Sequence, residues 1–498
     1  MPSFFLRVKQ GGNVSEAKRA FGKREIGFVL GILVGLAIWM VPIPVADLST
    51  GGHITLALTL MTVVWWAFQI SQPAYTSGIF LALLVIFQVV PGTAATETTK
   101  AVSAAAATAA VAFKSWTGTT MWLVIGAYLI ATAVKTSGLG ERIAYNYMLR
   151  FVSSFKSIII GIFVLTFVLS LLIPHPWPRA FLIMSVMAVI IKSSGIPKED
   201  GLKIGLAVFA ASVPVSLIFL TGDAVINPLA VAASGQTMGF ASWFINMGPP
   251  AMVAAVLTCL LILALFRPTQ EVTINKDEIR SKLGSMGKLT AVETRTIIWL
   301  VIAIVLWMTD TVHGINIGWI TMIIAMLMSM PIIGGVLTPK DWSAVPMQTL
   351  MFLTAAIAIG VVGGVTGMNS WIAATLLPST APSNLFLLAA LITLIAVALH
   401  MLLGSVIAVM GVAVPAIIAF TAPMGISPIV PTLLAYMAIA GHFVLPFQHL
   451  NMLVGAAEDT GGYTQKETIR LGLPLTIVMF IVTVGVMVPW WNLTGLIK

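Results

Sequence analysis

The sequence predicts an all-α polytopic membrane protein with about eleven transmembrane helices plus two re-entrant hairpins, arranged in two inverted repeats. Of its 498 residues, 59% are hydrophobic and only 9% are charged, and the mean hydropathy is +1.03. Soluble domains carry roughly 25% charged residues, so most of this surface must face lipid. Apolar runs of about 17 to 25 residues, long enough to cross a bilayer, recur from residue 25 onward.

The apolar runs fall into single spans and two interrupted pairs. The second arm of the first pair, near 181–193, rises only about 20 Å, which is less than a hydrocarbon core of about 30 Å. We therefore predict that both interrupted pairs, 157–193 and 383–421, are re-entrant hairpins whose tips lie inside the membrane. The predicted single spans lie near residues 25–44, 53–70, 76–91, 117–135, 201–232, 247–266, 294–309, 315–333, 347–365, 429–456 and 472–492.

Basic residues predict the orientation. On this topology Lys100, Lys114 and Lys498 are external and Arg179 lies in the membrane, which leaves 22 of the 26 Lys and Arg residues on the cytoplasmic side. The basic first 24 residues contain no apolar core and read as a cytoplasmic tail rather than a cleaved signal. The sequence thus predicts a multi-pass inner-membrane protein with a cytoplasmic N-terminus, and the net charge of +9 predicts orientation rather than nucleic-acid binding.

Four regions follow from this pattern. A tail covers 1–24, the first helix and first repeat cover 25–266, a charged cytoplasmic linker covers 267–292, and the second repeat covers 293–498. Each repeat holds five spans and one hairpin. Because an odd number of crossings reverses direction, the two repeats must be inverted with respect to each other, which is a transporter architecture with its site at broken helices near the midplane.

Short motifs support the repeat. "TSGLGERIA" at 136–144 and "VTGMNSWIA" at 365–373 share Gly, Ile and Ala at an offset of 229, and each precedes an interrupted pair. Applying the offset to Ser405 predicts Pro176 as its counterpart. In addition, "FLTGDAVINPLA" and "LPFQHLNMLVG" each interrupt a predicted helix with polar residues that end in Asn.

Other classes of activity lack their motifs. No G-x-x-x-x-G-K-[ST] sequence is present, so an ATP-driven pump is not predicted. A membrane-embedded enzyme would need a convergent nucleophile or metal constellation, and neither is evident. The single cysteine, Cys259, allows no disulfide framework and no thiolate metal site. We predict neither an enzyme nor a cofactor.

The segments "VKTSGLGERIAY", "SLIFLTGDAVINPLA" and "YTQKETIRLGLPL" give nearly the whole chain a resemblance to one family. It resembles the divalent anion:sodium symporter (DASS) family, most closely the branch of citrate/succinate antiporters and 2-oxoglutarate/malate translocators. The resemblance implies a secondary active transporter of small di- or tricarboxylate-like anions, working by symport or exchange. It also implies a homodimer in the bilayer and an elevator movement of the transport domain.

The chain departs from the family at both hairpin tips. Each tip of the family carries Ser-Asn-Thr, which the resemblance implies contacts substrate carboxylates and sodium. Here His175, Pro176 and Trp177 stand at the first tip. Ser405, Val406 and Ile407 stand at the second, where only the serine remains. A hard cation requires oxygen ligands, so sodium coupling is less expected here than in the family. Because the tips have lost polar residues, the transported solute could instead be a monocarboxylate, a sulfonate or a neutral compound.

Two intramembrane charges have alternative roles. Arg179 could bind a substrate carboxylate with its planar guanidinium, or could pair permanently with Asp223, or could alternate between the two. Ser405 and Asp223 together mark a candidate cation site. Trp177 could stack on a substrate or fill space that small polar residues would leave.

Polar residues of the broken segments complete the predicted site. His175 and His449 occupy tip or loop positions and predict either proton-linked transport or exchange in place of sodium coupling. His400 and His442 are expected to be neutral and satisfied by backbone carbonyls. Asn227 could instead be a helix cap. The further predicted contacts lie on the broken-helix loops and are Thr221, Gly222, Asn227, Gln448 and Asn451.

Overall fold

The protein is helical throughout its described length. A computed structural model describes residues 22–44, 47–95, 100–378 and 380–497. Within these ranges the extended pairing is limited to one bridge between Thr93 and Val102. All but the last three residues of the predicted tail 1–24, and Lys498, lie outside the described residues.

Twelve helices precede the linker. They are α1 Lys23–Met40, α2 Thr50–Ala67, α3 Pro73–Ile86, α4 Ala104–Ala112, α5 Lys114–Thr117, α6 Thr120–Thr136, α7 Leu139–Phe151, α8 Phe155–Leu172, α9 Pro176–Ser193, α10 Lys198–Val215, α11 Ile226–Ala233 and α12 Phe240–Leu265. A 3₁₀ turn over Leu220–Asp223 lies between α10 and α11.

In the described ranges, twelve more helices lie within the linker or after it. They are α13 Asp277–Ser285, α14 Ala291–Met308, α15 Asp310–His313, α16 Ile317–Ser329, α17 Met347–Thr366, α18 Met368–Leu376, α19 Leu385–Leu403, α20 Val406–Thr421, α21 Ile429–Ala440, α22 Leu450–Gly455, α23 Gln465–Phe480 and α24 Val488–Thr494. A 3₁₀ turn over Pro446–Gln448 lies between α21 and α22, and a π-helical segment joins α23 to α24.

Eight helices in the described ranges are long and apolar enough to cross a bilayer, or nine if the bent pair α6 and α7 is one span. The predicted figure of about eleven spans also counted shorter helices such as α3, α16 and α21, which have 14, 13 and 12 residues. Two predicted single spans, 201–232 and 429–456, are each two helices separated by a break, because polar residues interrupt them at mid-length.

The first interrupted pair turns back on itself. Lys276 Nζ donates to the Leu149 carbonyl (2.8 Å), close to where α8 begins, and Asn275 N donates to Ser194 Oγ (2.9 Å), where α9 ends. Both ends therefore meet the same linker. The predicted second arm near 181–193 is too short, however, because α9 begins at Pro176 and has 18 residues. Proline fits the first turn of a helix, where no intrahelical donor is needed.

The repeat motifs occupy equivalent backbone positions. Gly138 (φ 81°, ψ −2°) and Gly367 (φ 82°, ψ −2°) each precede the helix that leads to an interrupted pair, and this left-handed conformation favours glycine. At the hairpin tips, the correspondence between the two repeats is shifted by one residue from the predicted offset of 229. His175 and Ser405 are the N-caps of α9 and α20, so Ser405 matches His175 and not the predicted Pro176. The intervening segments differ by one residue in length.

A buried ion pair ties α7 to α14 across the linker. Arg142 Nε donates to Glu293 Oε1 (2.7 Å) and its Nη2 donates to Oε2 (3.1 Å). The same guanidinium donates to the carbonyls of Met286, Gly287 and Lys288, in the segment between α13 and α14. The Glu293 side chain is only 2% exposed. A bidentate pair with satisfied remaining donors joins the first half of the chain to the second at this face.

We expect Glu293→Gln to lower the free energy of unfolding by about 2–3 kcal/mol, because it leaves most of the Arg142 guanidinium buried without its charge partner. Unfolding by SDS in mixed micelles measures this loss. A double substitution with Arg142→Gln should cost less than the sum of the single ones.

The exposed pair Arg280–Asp277 is the control, because its side chains are 65% and 81% exposed. Asp277→Asn should change the free energy of unfolding by less than about 0.5 kcal/mol. Equal effects of Glu293→Gln and Asp277→Asn would contradict a structural role for the buried pair.

Candidate functional site

A cavity of about 420 Å³ lies between the two hairpin tips, the two broken helices and the connection from α2 to α3. Its walls include apolar, aromatic and polar side chains from both halves of the chain. The cavity brings together ten of the fourteen predicted site residues: His175, Pro176, Trp177, Asp223, Ser405, Val406, Ile407, Gln448, His449 and Asn451.

The two hairpin tips direct helix N-termini towards this cavity. Ser405 Oγ accepts from Ala408 N (3.4 Å) and caps α20, while His175 Nδ1 accepts from Trp177 N (3.2 Å) and caps α9. The first amides of a helix have no intrahelical acceptor. The amides of Val406 and Ile407 are therefore available at the second tip. At the first tip, the two prolines leave Trp177 as the only early amide, and the His175 ring already binds it.

His175 is bound within the protein through both ring nitrogens. Because Nδ1 accepts from an amide, the neutral ring carries its hydrogen on Nε2, which lies 2.7 Å from the Tyr128 hydroxyl oxygen. The ring thus donates to the Tyr128 hydroxyl oxygen, which lies beside Thr349. In this arrangement both ring nitrogens of His175 are bonded within the protein, and the hydroxyl groups of Tyr128 and Thr349 are the neighbouring polar groups on the cavity wall.

Arg179 lies outside the cavity and is fully buried. Its Nη1 donates to the carbonyls of Ile173 and Gly222 (both 3.1 Å), and its Nη2 donates to Ser216 Oγ (2.5 Å). These acceptors belong to the break before α9 and to the break after α10. Among the described residues, Arg179 neither lines the cavity nor forms an ion pair with Asp223, so the predicted roles as anion ligand, as partner of Asp223 or as both in turn remain predictions. Both chain breaks leave carbonyls that need a donor inside the membrane.

Asp223 lies on the cavity wall and also caps a helix. Its Oδ1 accepts from Val225 N (3.0 Å) and Ile226 N (3.2 Å), where α11 begins. A carboxylate at a helix N-terminus is stabilised by the exposed amides and by the helix dipole. Asp223 is 7% exposed, and it is the one acidic side chain on the cavity wall among the described residues.

Three more predicted residues lie outside the cavity: Thr221, Gly222 and Asn227. Asn227 Nδ2 donates to the carbonyls of Ser216 and Phe219 (both 2.8 Å), and its Oδ1 accepts from the Tyr436 hydroxyl. Asn227 therefore satisfies carbonyls freed by the break after α10. It is the second residue of α11 and does not cap that helix, so the structure shows neither the predicted ligand contact nor the predicted cap.

Side chains also satisfy backbone groups at the second helix break, between α21 and α22. Gln448 Oε1 accepts from Val444 N (2.6 Å) and Leu445 N (2.7 Å), and His400 Nε2 donates to the Gln448 carbonyl (3.1 Å). His400 thus meets a backbone carbonyl, as predicted. His442 does not: its Nδ1 lies 3.4 Å from His400 Nδ1, and its Nε2 has no partner among the described residues.

Two cavity residues of this second break retain free acceptors. His449 Nε2 donates to the Ala440 carbonyl (2.8 Å), so the neutral ring has its lone pair on Nδ1. Asn451 Nδ2 donates to Ser212 Oγ (3.3 Å), while its Oδ1 is buried without a partner. Asn451 is the second residue of α22, as Asn227 is of α11, so the two asparagines occupy equivalent positions in the repeats.

The sequence interpretation missed cavity residues on α2, α3, α6 and α17. Tyr128 lies inside an apolar helix, and Gln69 and Gln72 lie in a connection between two spans, where polar residues are ordinary. No sequence signal distinguished these residues. Among the residues that the structure describes, no three His, Cys, Asp or Glu side chains form a cluster that could hold a metal ion.

Comparison with known proteins places the chain among membrane transporters. Residues 23–497 match the profile of the sodium:sulfate symporter transmembrane region. The chain is 23% identical to a membrane protein of Cupriavidus necator (94% of this chain, 92% of that protein). It is 28% identical to chloroplastic dicarboxylate transporter 1 of Spinacia oleracea (68% and 58%). Its fold is similar to that of the Alcanivorax borkumensis YdaH transporter, with a TM-score of 0.52, 16% identity and coverage of 88% and 98%.

We expect Arg179→Gln to reduce thermal stability in detergent, because the carbonyls of Ile173 and Gly222 would compete for one amide in a buried site. The loss should be about 3 kcal/mol or more in free energy of unfolding. Differential scanning fluorimetry and SDS unfolding measure the change.

Arg150→Gln is the matched control, since Arg150 is exposed on α7 and should tolerate the change within about 0.5 kcal/mol. Normal stability of Arg179→Gln together with weakened anion binding would instead identify Arg179 as a substrate ligand.

Proposed function

The chain belongs to the sodium:sulfate symporter (DASS) family, and on that premise we propose that it is a secondary active transporter of small organic anions, working by exchange. The observation that carries this proposal is the cavity between two hairpin tips, with the N-terminus of a long helix directed at it. Helix N-termini bind anions through free amides and the helix dipole. The name of the spinach relative, a dicarboxylate transporter, is consistent with an organic-anion substrate.

The substrate carboxylate binds at the second tip in this proposal. The amides of Val406 and Ile407 and the hydroxyl of Ser405 are three neutral donors on one wall of the cavity. Arg24, at the start of α1, is the one basic side chain on the wall among the described residues, and it is exposed. It would attract anions towards the opening by long-range electrostatic interaction.

Exchange without a sodium gradient is the coupling mode we propose. The carbonyls of Ile173 and Gly222 and the Ser216 hydroxyl are the kind of oxygen ligands that a hard cation requires. In the first half they are all bonded to Arg179. The guanidinium therefore supplies a fixed positive charge where a mobile cation would otherwise meet these oxygens. Ser405 and Asp223 remain a candidate cation pair on the cavity wall.

The remaining features of the proposal rest on family membership. The hairpins and broken helices would move together across the membrane as an elevator, carried by a scaffold that forms a homodimer. The N-terminus would lie in the cytoplasm of a cell whose inner membrane holds the protein. The inverted repeats support such alternation, because two opposed halves can form equivalent inward-open and outward-open states.

Counterflow in proteoliposomes tests transport directly. Vesicles preloaded with unlabelled succinate, citrate or 3-phenylpropionate should accumulate the same labelled anion, recovered unchanged, above protein-free vesicles. Failure of all three anions to exchange would reject the proposed function.

We expect Ser405→Ala to weaken binding of the exchanged anion about 10- to 100-fold, because a hydrogen bond to a charged group is worth about 1.5–3 kcal/mol. Calorimetric titration measures the affinity. Ser405→Thr should retain most of it, since the hydroxyl remains. Ser103→Ala removes a similar cap, the one on α4 (Ser103 Oγ to Ala106 N, 3.3 Å), outside the cavity and should leave affinity unchanged.

Replacing sodium by choline at constant ionic strength should change the exchange rate by less than about twofold, because the first-half oxygens are already bonded to Arg179. Initial rates of counterflow in the two media give the answer. A strict sodium requirement would contradict exchange by a fixed-cation mechanism and would favour symport through the Ser405–Asp223 region.

A further inference from the structure

The two hairpin tips offer different chemistry to the same cavity. A compact dicarboxylate that bridges the tips needs an anion site on each of them. At the first tip, Pro176 and Pro178 have no amide hydrogen, and Trp177 N donates to His175 Nδ1 (3.2 Å). The N-terminus of α9 therefore has none of its first three amides free for a carboxylate.

Among the described residues, Arg24 is the one basic side chain on the cavity wall, and it belongs to α1 and not to the first tip. Arg179 is the cation nearest in sequence, but it is fully buried, lies outside the cavity and donates to protein oxygens. What the first tip presents to the cavity is the Trp177 ring, which meets the His175 ring edge-on with centroids 5.8 Å apart, and the Tyr128 hydroxyl. An indole and a single hydroxyl suit an apolar or aromatic group better than a second carboxylate.

The opposite wall is also unfavourable for a second negative charge. Asp223 lies on the wall, and two carboxylates a few Å apart in a partly desolvated site repel each other strongly. Asn451 is 5% exposed, and its Oδ1, buried without a partner, accepts hydrogen bonds but cannot donate them. This atom therefore offers no hydrogen bond to a second carboxylate. His449 likewise presents the lone pair of Nδ1 in its neutral form.

Aromatic side chains line a large part of the remaining wall, beside the polar side chains of Gln69, Gln72 and Thr349. Trp66, Phe352 and Phe447 contribute to the same walls as Trp177. Burying a ring against such a surface is worth roughly 25 cal/mol per Å² of apolar area, and offset or edge-on ring pairs add to this. A volume of about 420 Å³ accommodates a phenyl-substituted acid.

We propose that this cavity binds a monocarboxylate with an aromatic body, with its carboxylate at Ser405, Val406 and Ile407 and its ring against Trp177, in preference to a compact dicarboxylate. The proposal rests on the proposed transport function and names its substrate class. One tip binds the charge and the other binds the ring, so selectivity follows from the asymmetry between the two tips.

Calorimetry on the full-length protein in detergent tests the proposal with three probes: succinate, propionate and 3-phenylpropionate. We expect 3-phenylpropionate to bind at least about tenfold tighter than either other acid, because only it combines one carboxylate with a ring. Succinate binding as tightly as 3-phenylpropionate, or more tightly, would overturn the proposal and leave the transport function intact. If none of the three binds and none exchanges in vesicles, the transport function itself fails.

A variant at Trp177 tests whether the first tip causes the preference for 3-phenylpropionate. Trp177→Leu keeps an apolar side chain but removes the ring, and should weaken 3-phenylpropionate binding about three- to tenfold while leaving propionate unchanged. Trp39→Leu, at a 53% exposed position on α1 outside the cavity, is the matched control and should change neither. Equal affinities of Trp177→Leu and the unaltered protein for 3-phenylpropionate would overturn the role of the ring.

A triple change converts the first tip towards the family pattern. His175→Ser with Pro176→Asn and Trp177→Thr restores a free amide and small polar side chains, and should raise succinate affinity about tenfold while lowering that for 3-phenylpropionate. An unchanged ratio of the two affinities in a folded triple variant would contradict the proposal. If the triple variant does not fold, the affinity of Trp177→Leu for 3-phenylpropionate is the test of the proposal.

Discussion

A chain that breaks its helices inside a membrane must satisfy the freed backbone groups with protein atoms, except where those groups line a cavity. The break before α9 and the break after α10 share one solution, since Arg179 donates to a carbonyl from each. Asn227 and Gln448 satisfy the two broken-helix loops with their side-chain amides. The residues that look most polar in the sequence are thus mainly the residues that make the breaks stable.

This use of polar groups limits what is left for a ligand. His175 and Arg179, which the sequence suggests as anion donors, are both bonded to protein atoms. The other polar groups on the cavity wall include the helix amides at the second tip, the Tyr128 and Thr349 hydroxyls, the side chains of Arg24, Gln69 and Gln72, and acceptors such as Asp223. The chemistry of the cavity therefore follows from which donors remain after the backbone has been satisfied, and not from the inventory of polar residues.

The two halves retain a common plan but have diverged in detail. Gly138 and Gly367 have the same left-handed conformation, and Asn227 and Asn451 occupy the same position after their helix breaks. Asn227 is fully bonded, whereas Asn451 keeps a free oxygen on the cavity wall. Such divergence gives one polar tip and one aromatic tip. A transporter can alternate between two states without chemical symmetry between its tips.

The sequence by itself determined the membrane class and the two broken pairs, and ten of its fourteen predicted site residues lie on the cavity wall, because hydropathy and helix-breaking residues act locally along the chain. It did not determine where α9 begins, which way the Arg179 side chain points, or that Tyr128 meets His175. Those outcomes depend on which donors and acceptors from distant segments lie within hydrogen-bond distance. Only the packing of the helices decides that, since it sets which buried polar groups from different segments come within hydrogen-bond distance of one another.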